Sequence, residues 1–263
     1  MILTILGCSG SMSGPDSAAS SYLLQASGLD PATGEDRTWS VVFDMGPGAF
    51  GALWRHLNPR DLDAVVFSHG HADHIGDLIS LHVHRRWHPE GRGPSVTVFG
   101  PQGIAERACQ LDGWAQPEDF EGILDFEVVT EGAPFQVGPF TLTPYAGRHT
   151  VPSFGYRVSG PGERGGVRTM AYTGDTDSCQ SMVAMATGVD LLLCESGFTT
   201  ADTVRGIHLD GVRAGRLAAQ AQVGELVVTH IQPWTAPQVV MDEVRTTWGG
   251  PAVAAAAGQT FTI

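Results

Sequence analysis

The stretch Ser68-His69-Gly70-His71-Ala72-Asp73-His74 places three imidazoles and a carboxylate within six residues, directly after the apolar run 62–67. The residues before it have the pattern of a short buried strand, and apolar residues at helical spacing follow from 75 to 87. The cluster is therefore predicted on a turn from a strand to a helix, where open α/β sheets place ligands. Alternate residues of an extended backbone point the same way, whereas the last two polar residues begin the helix. This arrangement suits two metal ions rather than one.

Length and composition indicate the broad class of protein. The chain has 263 residues and is 42% hydrophobic, which is enough to bury the core of a single α/β domain over 1–263. It has no long uninterrupted apolar run, and its first residues enter a strand-like pattern without a basic region or a cleavage site. We therefore expect a cytoplasmic protein that is not in a membrane. The four cysteines are far apart, which favours free thiols.

The charge balance limits the chemistry and the partners. The chain has 28 acidic residues and 15 basic ones, for a formal net charge of -13, and every basic residue is arginine. Because there is no lysine, a lysine Schiff base is excluded. An acidic surface also opposes long nucleic acid, whose affinity comes largely from neutralised phosphates. A small anionic substrate would have to be attracted by local metal and arginine charge.

Hydrophobic periodicity predicts strands and helices that recur in two similar halves, roughly 1–130 and 131–263. Strands are expected near 2–6, 20–26, 39–44, 63–67, 95–99, 139–145, 154–158, 168–173, 189–194 and 225–229. Helices are expected near 48–57, 74–87, 101–111, 177–186, 208–221 and 236–247. Loops rich in glycine and proline are expected at 28–36, 89–94 and 159–166. The additional histidines His82, His84 and His88 are assigned to a solvated helix face or a partner surface.

Three further polar residues come at the carboxyl ends of predicted strands. His149 follows the strand near 139–145, Asp175 follows the strand near 168–173, and His230 follows the strand near 225–229. Because sites of α/β proteins gather beyond these strand ends, the three can converge on the first cluster. A binuclear site needs such additional donors, since each ion takes about three protein ligands and one carboxylate usually bridges.

The order His-x-His-x-Asp-His, His, Thr-Gly-Asp-Thr and Thr-His resembles the metallo-β-lactamase-fold hydrolases over nearly the whole chain. The resemblance implies a four-layer αβ/βα sandwich with a metal site at one edge. It also implies that His69, His71 and His149 hold one ion, that Asp73, His74 and His230 hold the other, and that Asp175 bridges. Mixed imidazole and carboxylate donors suit two divalent ions, with zinc preferred over manganese or iron.

Within that superfamily the chain resembles the ribonuclease Z-like branch, and most closely the actinobacterial atypical class II cyclic-AMP phosphodiesterases. The resemblance is carried by Leu6-Gly7-Cys8-Ser9-Gly10-Ser11, Gly14-Pro15-Asp16-Ser17, Cys194-Glu195-Ser196-Gly197, His208-Leu209-Asp210 and the ending Thr229-His230-Ile231-Gln232-Pro233-Trp234. It implies that His208 contacts the scissile phosphate or protonates the leaving oxygen and that Glu195 orients His208. The long basic arm with which ribonuclease Z grips transfer RNA has no counterpart in this sequence.

The predicted activity is hydrolysis of 3',5'-cyclic AMP to the nucleoside 5'-monophosphate by hydroxide shared between two metal ions. Asp73 would orient or deprotonate the nucleophile and His208 would assist the leaving oxygen. The alternatives are RNA 3'-end processing of the ribonuclease Z type, a lactonase or β-lactamase-like carbonyl hydrolase, and a binding protein that has lost the chemistry. The resemblance also allows a homodimer.

Four further residues are candidates for contacts with the substrate. Ser9 and Ser11 could offer donors to a phosphate. Arg148 could contact the phosphate or be an ordinary surface arginine, and Phe154 could stack on a base or belong to the core.

Overall fold

The computed structural model describes residues 1–113 and 116–263. Within these residues the first of two mixed β-sheets contains eight strands: β1 (Ile2–Ser9), β2 (Ala18–Ala19), β3 (Ser21–Leu29), β4 (Asp36–Phe43), β5 (Ala64–Val66), β6 (Val96–Gly100), β7 (Leu124–Val128) and, from the end of the chain, β15 (Thr260–Thr262). Their spatial order is β15-β1-β3-β4-β5-β6-β7, and β2 pairs with β1. From β4 to β7 all neighbours are parallel, so the carboxyl ends of these strands meet at one edge.

The second sheet contains seven strands in sequence order within the described residues: β8 (Phe135–Val137), β9 (Phe140–Ala146), β10 (Phe154–Pro161), β11 (Val167–Tyr172), β12 (Leu191–Glu195), β13 (Glu225–Thr229) and β14 (Ala252–Ala254). The strands β8 to β11 pair antiparallel, whereas β11 to β14 are parallel. The carboxyl ends of β11, β12 and β13 therefore lie side by side.

Seven α-helices cover the outer faces of the sheets in the part of the chain that is described: α1 (Ala49–Leu53), α2 (Ala72–Ile75), α3 (Leu78–Trp87), α4 (Ile104–Asp112), α5 (Gln180–Ala186), α6 (Gly211–Ala221) and α7 (Pro237–Arg245). Single 3-10 turns lie at Pro59–Asp61 and Pro117–Phe120. None of the helices in residues 1–113 and 116–263 combines the length and the apolar character that crossing a bilayer requires.

Three layers of buried apolar side chains hold this arrangement together. The central layer joins the two sheets, with Leu3 and Phe43 of the first sheet packed among residues such as Tyr156 and Leu193 of the second. One outer layer lies between the first sheet and α1, α3 and α4, and the other lies between the second sheet and α5, α6 and α7. Burial of apolar area on both faces of each sheet is the dominant favourable term in such a fold. The predicted four-layer αβ/βα sandwich is confirmed.

The boundaries differ from the sequence prediction in several places. The helix expected at 74–87 is divided into α2 and α3, which are separated by Gly76 and Asp77. The strands β3 and β10 continue into the loops expected at 28–36 and 159–166. The short strands β2, β7, β8, β14 and β15 were not predicted. Strands of two to five residues carry too few side chains to show a clear period.

The chain passes from the first sheet to the second between β7 and β8, with one exchange. The last strand, β15, pairs antiparallel with β1 and so adds the end of the second half to the first sheet. A strand of three residues has no sequence signal for its partner, since its pairing depends on the space left at the sheet edge.

The assignment of His82 to a solvated face was wrong. His82 is only 1% exposed, and its Nδ1 lies 2.8 Å from Asp112 Oδ2 on α4. The neighbouring Arg85 is also 1% exposed, and its guanidinium donates to backbone carbonyls that include those of Leu62 and Pro94. Both residues therefore lie on the inward side of α3, where polar groups need partners because water is absent.

Candidate metal centre

The first group of imidazoles comes from two loops that face each other across the sheets. His69 and His71 follow β5, and His149 follows β9. The Nε2 of His69 lies 3.0 Å from Nδ1 of His71, and the Nε2 of His149 lies 3.1 Å from the same Nδ1. Three nitrogens thus converge on one point, and the residues form a cluster that could hold a metal ion.

The second group combines two imidazoles with two carboxylates. Asp73 and His74 lie on α2, whereas Asp175 and His230 follow β11 and β13. His74 Nε2 lies 3.3 Å from Asp73 Oδ2, 3.3 Å from Asp175 Oδ1 and 3.4 Å from His230 Nε2. His230 Nε2 is in turn 3.4 Å from Asp73 Oδ2 and 3.3 Å from Asp175 Oδ2.

The donor set and its spacing fit divalent metal ions. Ligands bound at about 2.0–2.1 Å to a tetrahedral ion stand about 3.3–3.4 Å apart, which matches the separations in the second group. The atoms that face one another are imidazole nitrogens and carboxylate oxygens, and among the described residues Asp175 Oδ1 is buried without a well-formed hydrogen bond, 3.3 Å from His74 Nε2. Lone pairs crowded in this way are stabilised by a shared cation. The structure therefore brings together the seven residues expected as ligands, with nitrogen and oxygen atoms that can bind divalent ions directed toward one another.

Asp175 lies between the two groups. Its Oδ2 is 3.9 Å from His69 Nε2 and 4.0 Å from His149 Nε2, while both of its oxygens also approach the second group. Burial raises the pKa of Asp175, but the His230 and His74 rings more than offset burial and hold this pKa well below its usual range. The ionised carboxylate is therefore placed where a bridging ligand would lie.

Asp44, which the sequence analysis missed as a site residue, supports both groups from beneath. Asp44 directly follows β4 and is fully buried. Its Oδ2 accepts hydrogen bonds from His74 Nδ1 and Ser68 Oγ, both at 2.7 Å, and from the Tyr172 hydroxyl at 2.6 Å. Its Oδ1 accepts from the Ser68 backbone N–H at 2.7 Å. The predicted strand near 39–44 included Asp44, whereas β4 ends at Phe43. With the correct boundary, Asp44 would have been recognised as a polar residue at the carboxyl end of the strand next to β5.

The hydrogen-bond partners of three histidines determine which ring nitrogen remains available to a cation. With Nδ1–H of His74 donated to Asp44, Nε2 is the His74 atom that faces the site. The Asp175 and Asp44 carboxylates outweigh burial and raise the pKa of His74 well above its usual value, so a cation bound at Nε2 would displace a proton. Ser68 Oγ donates to Asp44 and so accepts from His69 Nδ1, at 3.0 Å. His149 Nδ1 donates to the Ile207 carbonyl at 2.8 Å. Burial and the nearby His74 lower the pKa of His69 well below its usual value, which keeps His69 neutral.

A second pair of side chains lies beside the cluster. Glu195 ends β12 and is 1% exposed, and its Oε1 accepts from His208 Nδ1 at 3.0 Å. The same Nδ1 is 3.7 Å from Asp175 Oδ2. Burial lowers the pKa of His208, but the Glu195 carboxylate outweighs burial and raises this pKa to about 9. Glu195 also accepts from the backbone N–H groups of Thr176 and Gly197, which hold it in place.

The expected substrate contacts are placed at different distances from the cluster. The Ser11 backbone N–H donates to His230 Nε2 at 3.3 Å. Ser9 is buried, and its Oγ has no hydrogen-bond partner within the described residues. Arg148 is exposed, with its guanidinium beside Gly206. Phe154 is half-buried and packs against the central core, as its alternative interpretation anticipated.

Backbone strain is concentrated at this edge. The non-glycine residues with positive φ in the described chain are Ser11 (59°), Asp44 (55°), Gln222 (54°) and His230 (57°), and three of the four lie at the cluster. Such conformations cost about 1–3 kcal/mol each and persist where the surrounding structure requires them. A Cβ at Gly10 would collide with the His230 carbonyl, so glycine allows the first loop to approach this histidine.

Comparisons with known proteins agree with this geometry. The family model for the β-lactamase superfamily domain matches residues 39–231. Uncharacterized protein ML1173 of Mycobacterium leprae is 38% identical over 264 residues, which is 99% of this chain and 88% of that protein. Ribonuclease Z of Bacillus licheniformis is 26% identical over 251 residues, which covers 75% of this chain and 79% of that enzyme.

A solved structure extends the likeness to three dimensions. The probable metallo-hydrolase YhfI of Bacillus subtilis is 28% identical over 258 residues, which is 95% of each protein. Its crystal structure matches with a TM-score of 0.84 at 25% identity and covers 99% of this chain and 98% of that one. The chain has the metallo-β-lactamase fold and belongs to the β-lactamase superfamily, as a metal-dependent hydrolase.

Proposed function

We propose that the protein is a binuclear metal-dependent phosphodiesterase that hydrolyses a small cyclic nucleotide, with 3',5'-cyclic AMP as the preferred substrate. The observation that carries the proposal is the Glu195–His208 pair beside Asp175, with His208 Nδ1 at 3.0 Å from Glu195 and 3.7 Å from Asp175. A phosphodiester has a poor alkoxide leaving group, so its hydrolysis benefits from a positioned acid.

The metal ligands in this proposal are those that the cluster brings together. His69, His71 and His149 would hold one ion, Asp73, His74 and His230 the other, and Asp175 both. When bound, two divalent ions supply Lewis acidity and lower the pKa of a bound water toward neutrality. Zinc suits this donor set best, with manganese or iron as alternatives.

Two protein groups would handle protons and orientation. Asp73 Oδ2 faces His74 and His230, which leaves Oδ1 of Asp73 to orient the attacking water. His208 donates Nδ1–H to Glu195, and because Glu195 raises the pKa of His208 to about 9, the ring is protonated at neutral pH and its Nε2 also carries a proton. The leaving 3'-oxygen would take this proton as the bond from phosphorus to that oxygen breaks. The attacking oxygen then remains on phosphorus, and the product is a nucleoside 5'-monophosphate.

The charge of the chain supports a small substrate. A formal net charge of -13 opposes long polyanions, so attraction of a phosphate has to come from the cluster itself. Ser11, whose backbone N–H donates to His230, and the exposed Arg148 are proposed phosphate contacts. We also propose that the protein forms a homodimer. Its substrate would be a small anion, and it would not bind long nucleic acid.

The test is product analysis with metal-loaded protein on a panel of substrates. The panel contains 3',5'-cyclic AMP, cyclic GMP, 2',3'-cyclic nucleotides, a short precursor RNA and a lactone. We expect the nucleoside 5'-monophosphate from 3',5'-cyclic AMP. Cleavage of the RNA alone would replace the proposal with RNA processing, and turnover of the lactone alone would replace it with carbonyl hydrolysis.

The role of His208 is tested separately. The variant His208→Asn should retain its metal and lose about a hundredfold to ten-thousandfold in kcat on cyclic AMP, as expected for removal of a positioned acid. The matched control is His56→Asn, at an exposed histidine that belongs to none of the clusters of possible metal ligands, and this variant should keep the wild-type kcat. A fully active His208→Asn enzyme contradicts the acid role.

A further inference from the structure

A buried network of two carboxylates and one guanidinium lies at the start of α6. Asp177 and Asp210 are buried, and the Arg213 side chain between them is 12% exposed. Arg213 Nε donates to Asp210 Oδ2 at 2.9 Å, and Arg213 Nη1 donates to Asp177 Oδ1. Asp177 is two residues after the proposed bridging ligand Asp175, and Asp210 is two residues after His208. One arginine therefore joins the segments that carry the proposed bridge and the proposed acid.

Asp177 also holds two neighbouring segments through their backbones. Its Oδ2 accepts from the Gly206 N–H at 2.5 Å, and its own N–H donates to the Arg148 carbonyl at 2.7 Å. Arg148 precedes the proposed metal ligand His149, whose Nδ1 donates to the Ile207 carbonyl at 2.8 Å. The loop that follows β9 and the segment that precedes α6 therefore meet at the same residue.

The segment 206–210 carries His208 and has no regular secondary structure. Asp177 holds its first residue through a backbone N–H, and Arg213 holds its last residue through the side chain of Asp210. Because Arg213 also binds Asp177, both ends of the segment are tied to one guanidinium. Removal of this guanidinium would therefore loosen both ends together.

The orientation of the His208 ring depends on the position of its backbone. Among the described residues the ring makes one hydrogen bond, from Nδ1 to Glu195 Oε1 at 3.0 Å, and its face or edge meets the Phe198 ring with centroids 4.9 Å apart. A ring held by one hydrogen bond can pivot about that bond when the backbone moves. A misplacement of about 1 Å, caused by a change remote from the chemistry, can cost about a hundredfold in rate.

A contribution to stability alone explains the network less well. Replacement of a buried ion pair by packed apolar residues is often neutral or stabilising, so a stable core does not need these charges. Hydrogen bonds of fixed distance and angle instead specify position. The segments that they join here each carry a proposed site residue, namely His149, Asp175 and His208.

We infer that Arg213 is a positioning residue, which fixes the segment 206–210 through Asp177 and Asp210 and so directs His208 toward the reacting phosphodiester. The inference rests on the proposed function, in which His208 protonates the leaving oxygen. Arg213 acts through His208 and is not itself a catalytic residue.

The experiment compares two phosphodiesters that differ in their need for an acid. The leaving alkoxide of 3',5'-cyclic AMP requires a proton, whereas the nitrophenolate of bis-nitrophenyl phosphate leaves without one at neutral pH. In zinc-loaded Arg213→Met, kcat on cyclic AMP should fall about tenfold to a hundredfold, and kcat on the aryl ester should stay within about threefold of the wild type. Partial loss of folded protein would lower both activities together and leave their ratio unchanged.

Two further variants accompany Arg213→Met. Arg213→Lys keeps a cation between the carboxylates without the rigid fork of arginine, so its ratio should lie between those of the wild type and Arg213→Met. This variant also leaves the buried Asp177 with a counter-charge, should the methionine variant fold poorly. The cap of α6 is kept in both, because Asp210 Oδ1 accepts from the backbone N–H of residue 213 at 2.8 Å. The matched control is Arg216→Met, at an exposed arginine of the same helix, which should keep the wild-type ratio.

A double-mutant cycle shows whether Arg213 acts through His208. In the His208→Asn background the acid is absent, so Arg213→Met should change kcat on cyclic AMP by less than about threefold. An equal loss in both backgrounds would overturn the inference. So would an unchanged substrate ratio in Arg213→Met when the ratio is altered in His208→Asn, a result that leaves the proposed acid in place.

A measurement without turnover separates the inference from the proposed function. A wild-type protein that hydrolyses no cyclic nucleotide would refute the proposed function, and the His208 ring would then be followed by side-chain NMR of nitrogen-labelled, zinc-loaded protein. The Nδ1–H signal is assigned by its absence in His208→Asn. Arg213→Met should shift or broaden this signal and Arg216→Met should not. An unchanged signal in Arg213→Met overturns the inference.

Discussion

Replacement of Asp44 by asparagine should weaken metal binding although Asp44 is not itself a proposed ligand. Three donors converge on its Oδ2, from His74, Ser68 and Tyr172, and the Ser68 backbone N–H donates to its Oδ1. Asparagine has one oxygen and one NH₂ group in these two places. Whichever way the amide is turned, at least one buried donor then faces another donor.

The size of the effect follows from counting those bonds. In the better orientation the asparagine oxygen keeps the bond from His74, and the Ser68 N–H loses its acceptor. Loss of one buried hydrogen bond to a charged group destabilises the fold by about 1.5–3 kcal/mol. The charge that raises the basicity of His74 is also lost, and changes of this kind typically lower metal affinity by about 10–100-fold.

Metal affinity is measured by competition with a chromogenic chelator, and stability by denaturant unfolding of the metal-free protein. The matched control is Asp36→Asn, at the exposed start of the same strand β4, which should change neither quantity appreciably. If Asp44→Asn bound metal within about twofold of the wild type, the tautomer argument for His74 would be refuted.

Two further predictions concern metal and pH. Removal of metal by chelation should lower the Tm by about 16–32 °C relative to protein with free ion at about a thousand times the Kd of both sites, since each of the two ions then contributes about 4 kcal/mol. An unchanged Tm in scanning calorimetry would show that ions do not bind the folded state. Burial lowers the pKa of His82 from 6.5 despite the neighbouring Asp112, so the unfolded chain takes up a proton more readily as the pH falls below 6.5. The metal-free wild type should therefore lose stability relative to His82→Gln between about pH 7 and pH 5, as measured by denaturant unfolding. A stability difference that does not depend on pH, or the same trend for the exposed control His56→Gln, would contradict the burial of His82 as the cause.

The candidate site was largely predictable because its residues are local in sequence or follow recognisable strands. His69 to His74 lie on one turn, and His149, Asp175 and His230 each follow an apolar run. Parallel strands bring their carboxyl ends to one edge, so these positions had to approach one another once the sheets formed. The distances among the seven residues agree with that expectation.

The errors have a common physical origin. His82 carries a polar ring at a position whose burial depends on whether α4 packs over it, and no local pattern contains that information. Asp44 looked like the end of a strand, although the chain leaves the sheet at Phe43 and turns through a positive φ there. In both cases the partner is distant in sequence, Asp112 for the first and Tyr172 for the second.

The amino-acid sequence by itself determined the fold class, the donor types and their order along the chain, because periodicity, strand ends and residue chemistry are local properties. Tertiary structure alone decided which ring nitrogen of His74, His69 and His149 faces the cluster, and that Asp44 accepts hydrogen bonds from His74, Ser68 and Tyr172. These features depend on distances of a few ångströms between segments far apart in sequence, and such distances are set only when both sheets and their helices pack together.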